Sequence, residues 1–101
     1  MANTAKVLFR GAATTTTTTT LYTVPSSTTT VITNIAVTNT AGTAGTFTLT
    51  LDSVDLHTTT SIAANTTIYI DCKQTLATTK IIKGGASATS INFHISGMEI
   101  S

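Results

Sequence analysis

Phe47, Leu49 and Leu51 alternate with Thr46, Thr48 and Thr50, a period of two that puts apolar side chains on one face of an extended segment and hydroxyls on the other. The same period returns at Ile91, Phe93 and Ile95, which places His94 on the face opposite the core. After Gly97 the apolar phase passes to Met98 and Ile100, so a β-bulge is expected in this last strand. The longest β pattern covers residues 30–40, with Val31, Ile35 and Val37 on one face and Ile32 and Ala36 on the other. Both faces of that strand are therefore expected to be partly covered.

Shorter segments fill the remainder. Residues 6–10 form an apolar run ended by Gly11, a first strand expected to sit at a sheet edge or to clasp a neighbour, and residues 21–24 form another that Pro25 stops by removing a backbone donor. Residues 52–61 are the most polar stretch and predict a loop with a short strand at 54–56. Ile68, Ile70 and Cys72 face inward on the next strand, residues 74–79 connect, and a strand at 80–83 is broken by Gly84-Gly85. No stretch of about ten residues or more keeps the helical period. The expected fold is all-β: an antiparallel β-sandwich or jelly roll of about eight short strands with essentially no helix. It forms one domain over residues 1–101, in which residues 1–20 are an N-terminal arm and a threonine-rich segment.

Composition sharpens this picture. Threonine supplies 28 of 101 residues, with an unbroken run at 14–20, while charged residues make up only 9%. Threonine is β-branched, so it favours extended chain, and its hydroxyl faces water without carrying charge. A soluble domain usually carries roughly a quarter charged residues, so this surface is kept soluble by hydroxyls or is covered by partners. Five cations and a net charge of +1 give no basic stripe for a phosphate backbone, so nucleic acid is not an expected partner. Apolar runs of only a few residues predict neither a signal peptide nor a membrane span, and manufacture in the cytoplasm is expected. The lone Cys72 has no internal disulfide partner and reads as a small buried hydrophobe.

Few residues could carry chemistry. Asp52, Asp55 and His57 lie close together, and on an extended segment Asp55 and His57 would share a face. That is two ligands short of a zinc site unless a symmetry axis supplies more copies, and the plainer reading is a polar rim. No nucleophile-elbow pattern surrounds a serine, and Gly84-Gly85 lacks the lysine that a phosphate loop needs. The expectation is therefore a non-enzyme with no catalytic residue, no cofactor and no metal. The hydroxyl rank of Thr46, Thr48 and Thr50 suggests an ice-binding face, against the plainer solvent face of a half-buried strand.

Leu21-Tyr22-Thr23-Val24-Pro25, the β-branched strand at residues 29–37, Asn39-Thr40, Thr48-Leu49-Thr50-Leu51-Asp52 and Ser96-Gly97-Met98-Glu99-Ile100 together resemble small virion proteins of tailed bacteriophages. The resemblance runs over most of the chain from Leu21 onward; the threonine run falls outside it. It implies a non-enzymatic particle component, either a head decoration (cement) protein or a piece of the tail, neck or fibre. The expected function is thus an oligomeric capsid decoration protein, trimeric by preference, made in the host cytoplasm and held in the virion against the major capsid protein. A receptor- or glycan-binding module of the tail is the alternative. Val7, Leu8 and Phe9 are expected to form an arm that adds to a neighbour's sheet, and Asp52, Asp55 and His57 a rim contact.

Overall fold

A computed structural model of the chain describes residues 3–70 and 73–101. Cys72, expected to face inward, lies outside the described residues. Among those residues there are nine strands and no helix: β1 (Asn3–Ala12), β2 (Thr20–Thr23), β3 (Thr29–Asn39), β4 (Gly45–Leu51), β5 (Val54–Ile62), β6 (Thr66–Ile70), β7 (Gln74–Leu76), β8 (Ile81–Ala86) and β9 (Ile91–Ile100). All pairings are antiparallel, in one sheet ordered β1-β9-β3-β6, with β7 also on β3, and a second ordered β2-β8-β4-β5. β6 pairs with residues 35–39 of β3 and β7 with residues 30–32, so the two occupy one interrupted strand position. Counted so, four strands face four, and every connection but the β4–β5 hairpin crosses between the sheets. This is a jelly-roll order.

The sheets meet through Ile32, Ile35, Val37, Phe47, Leu49, Ile82, Ile91, Phe93 and Ile95, none more than 1% exposed. Phe47 and Phe93 close the middle edge to face, with ring centroids 6.2 Å apart. The alternation of β4 is as expected, with Phe47, Leu49 and Leu51 inside.

The bulge lies beside Gly97, in the neighbouring strands. Thr33 is the extra residue in β3, between the pairs Ile32–Gly97 and Asn34–Ser96. Leu8 is the extra residue in β1, between Val7–Ser96 and Phe9–Ile95. A Cβ on Gly97 would stand 2.4 Å from the Val31 carbonyl oxygen and 2.9 Å from Leu8 Cδ1, so only glycine lets both neighbours bulge here. The face assignment of β3 is corrected accordingly: Ile32 joins Ile35 and Val37 in the core, and Val31 and Ala36 turn outward. In β9 the phase does not shift, so Glu99 points inward and Met98 outward.

Three other boundaries differ from expectation. The polar stretch is a tight hairpin followed by the nine-residue β5, because Asp52 and Ser53 both adopt positive φ (51° and 61°), the two-residue turn that matches strand twist. The connection at 74–79 contains β7. Gly84 and Gly85 lie within β8, where Leu49 and the Thr48 carbonyl crowd the first and the threonine run crowds the second. The Ala86 N–H donates to the Thr14 carbonyl (2.8 Å) and the Gly84 N–H to the Thr19 carbonyl (2.9 Å). Between these bonds the chain arches across Gly85, and a Cβ there would stand 2.4 Å from the Thr16 oxygen. The arch is tied by its own hydroxyls: Thr14 Oγ1 and Thr19 Oγ1 are 2.6 Å apart and lie 3.0 and 2.8 Å from the Thr16 carbonyl oxygen, so one proton joins the two hydroxyls and the other is donated to that carbonyl.

Candidate functional site

The residues expected to form an arm belong to the chain's own sheet. β1 pairs along its whole length with β9, Leu8 is buried, Phe9 packs on the core, and Val7 is 44% exposed. β1 is an edge strand, one of the two places expected for residues 6–10, and among the described residues its outer edge has no partner strand within the chain.

The bulges of the β4–β5 pair separate the rim residues. Thr50 pairs with Asp55 and Leu49 with His57, so the carboxylate is on the outer face and the imidazole on the inner one. Asp55 accepts a bond from Thr50 Oγ1 (3.1 Å), and Asp52 pairs with Lys80 (3.6 Å). His57 stacks at a tilt on Phe47, centroids 5.3 Å apart, with Nδ1 3.2 Å from Thr60 Oγ1. The shared face expected for Asp55 and His57 does not exist. Among the described residues no three of His, Cys, Asp and Glu converge.

The threonine rank on β4 is committed inside the fold. Thr48 Oγ1 accepts the Thr59 N–H (3.1 Å) and Thr50 serves Asp55, so these hydroxyls do not form the free flat array that ice binding requires.

A polar cluster that the pattern of residues did not reveal spans the two sheets. The Tyr22 hydroxyl of β2 donates to Glu99 of β9 (2.5 Å), and the Thr30 hydroxyl of β3, 2.8 Å away, is left to donate to the Tyr22 oxygen. Lys6 of β1 reaches the same carboxylate at 3.3 Å. Burial, reinforced by the neighbouring carboxylate, pushes the Tyr22 phenol up to about 12. The Tyr22 hydrogen bond, followed by Lys6, holds the Glu99 carboxyl below the usual range. Every partner is satisfied, and the cluster fastens four strands from both sheets. Had the phase of β9 been carried straight through Gly97, Glu99 would have been found inside.

Two surfaces remain open. A cleft of about 240 Å³ at the β4–β5 hairpin is lined by Leu51, Val54, Asp55, Leu56 and Gln74, with Val54 68% exposed. The outward side of the β1-β9-β3-β6 sheet is the second. Its register sets Arg10, His94, Ala36 and Tyr69 in one row, and Ala5, Met98, Val31 and Thr75 in another. Among the described residues of its strands only Arg10 and His94 present basic groups outward, and Tyr69 is 75% exposed. Compared with models of known protein families and with curated proteins, the chain matches none.

Proposed function

We propose that this chain is a non-enzymatic structural protein of a tailed-bacteriophage virion, an oligomeric decoration or cement protein that binds the outside of the head and strengthens contacts between copies of the major capsid protein. The observation that carries the reading is the outward side of the β1-β9-β3-β6 sheet, broad, small-residue-rich and nearly free of charge. Such a surface is disfavoured on an isolated soluble protein and hidden when copies pack on a lattice. Jelly-roll order recurs in viral capsid proteins, which supports the reading by analogy of fold. The protein is made in the host cytoplasm and kept in the particle, with no nucleic-acid or membrane contact of its own.

The hairpin cleft favours a second reading, a tail, neck or fibre module that binds a receptor or glycan. Asp55 and Gln74 supply acceptors and an amide for sugar hydroxyls beside the apolar Leu51 and Val54. Counting copies per particle by mass separates the readings. Hundreds of copies on heads support the cement role, a few copies on tails support the second reading, and none in purified particles overturns both.

A further inference from the structure

We infer that the outward side of the β1-β9-β3-β6 sheet packs face to face on the same side of a second copy, about a two-fold axis parallel to the strands and running between β9 and β3. This goes beyond the virion reading and rests on the strand register alone.

The argument starts from the row Arg10, His94, Ala36, Tyr69, one residue from each of four adjacent strands. A two-fold along the strands through the centre of that row exchanges its ends. Arg10 of one copy then lies over Tyr69 of the other, a guanidinium over an exposed aromatic ring, and His94 lies over the small Ala36. The neighbouring rows match under the same operation. Met98 comes to face Val31, apolar on apolar, and Ser96 faces Asn34, hydroxyl on amide. An axis running across the strands would instead set Arg10 over Val7 and Ala36 over Asn34, where nothing complements. Exposure of a large aromatic at one end of the row and an arginine at the other is thus explained by a single operation.

The area is sufficient. Three strands of ten or eleven residues with the interrupted β6–β7 position beside them span on the order of 35 by 19 Å, so a pair of faces hides up to about 1,300 Å², within the ~1,200–2,000 Å² of stable specific interfaces. Aligned sheet-on-sheet packing is the ordinary way to cover two such faces. The contact is isologous and gives a dimer; the trimer expected from the sequence would need a second, different contact.

Sedimentation equilibrium on the purified chain tests this. Dimer is expected at micromolar concentration. Ala36→Arg, which drives a cation into the centre opposite His94, should leave only monomer, with circular dichroism and the thermal melt verifying the fold. Tyr69→Ala removes an exposed ring that the fold does not need and should weaken the dimer by about tenfold. Arg10→Glu should weaken it likewise, and the double variant Arg10→Glu, Tyr69→Lys should restore it across the interface. Thr20→Glu, on the other sheet beside Lys83, should change nothing. A wild-type chain that stays monomeric to ~100 µM, or a dimer indifferent to both Ala36→Arg and Tyr69→Ala, overturns the proposal. A monomer found in hundreds of copies on heads would overturn this pairing alone, and a dimer absent from particles the virion reading alone.

Discussion

Gly85→Ala is a one-carbon change whose cost follows from the threonine arch. The new Cβ would stand 2.4 Å from the Thr16 oxygen, 2.7 Å from its carbonyl carbon and 2.8 Å from Thr17 Cα, all backbone atoms that cannot rotate away. The arch must lift, straining the bonds from the Ala86 and Gly84 N–H groups to Thr14 and Thr19. Overpacking of this kind costs about 1–3 kcal/mol, and a weakened backbone bond adds roughly 1 kcal/mol. Reduced freedom of the unfolded chain returns about 0.4–1 kcal/mol. The expected net loss is about 1–3 kcal/mol, or roughly 5–15 °C in melting temperature for a chain of this size. The matched control is Gly42→Ala, where no heavy atom lies within 4 Å and φ is not positive, so only the unfolded-state gain remains. Urea titrations should show the midpoint falling for Gly85→Ala and holding or rising for Gly42→Ala, at equal slope. Equal midpoints for the two variants would mean that the threonine run does not lie on β8.

Four further outcomes are expected. Phe47→Ala or Phe93→Ala should cost about 3–5 kcal/mol in the same titration, whereas Thr46→Ser should stay within about half a kcal/mol. Because Glu99 has its carboxyl held low in the folded state, its contribution is complete above the unfolded value and disappears as pH falls through the folded one. The urea midpoint of the wild type should therefore drop in acid more steeply than that of Glu99→Gln. Tyr22 runs the other way: with its phenol raised from 10.0 to about 12, stability holds below pH 10 and declines between the two values, and in Tyr69→Phe the tyrosinate absorbance should develop near pH 12. Ser53→Gly, at the second positive-φ position of the hairpin, should stabilise by about 0.5–1 kcal/mol, read as a higher thermal midpoint.

The residues that announced themselves did so through an unbroken period of two. β4 and the first half of β9 were legible because each alternates over five or more residues between apolar and polar side chains. β3 was misread for the opposite reason: the extra Thr33 flips its phase midway, and a sequence carries no mark of a bulge imposed by the strand beside it. Gly97 located the irregularity without saying which strand bends. Gly84-Gly85 looked like a stop because glycine usually punctuates; inside the strand Gly85 makes room for the arch and Gly84 for Leu49 and the Thr48 carbonyl. In the candidate site, sequence proximity joined Asp55 to His57, and the bulge at the hairpin divided them. Tyr22, Thr30, Glu99 and Lys6 lie on four strands, with Lys6 and Glu99 93 residues apart in the chain, a meeting that no local pattern encodes.

Chain order and sheet order are at odds in one place with a bearing on how the protein comes into being. β9, last of the nine strands to leave a ribosome, is the strip between β1 and β3, so until residues 91–100 arrive β1 has no strand partner and β3 has only the short β6 and β7 on its other edge. Until then a nascent chain of this protein holds β1 unpaired and one edge of β3 open, dependent on chaperones or on speed. A premature stop before Ile91 would spare most of the coding length yet leave two long strands facing an empty slot. Ribosome-release experiments with nested truncations should accordingly find the largest rise in protease resistance once residues 91–100 are present.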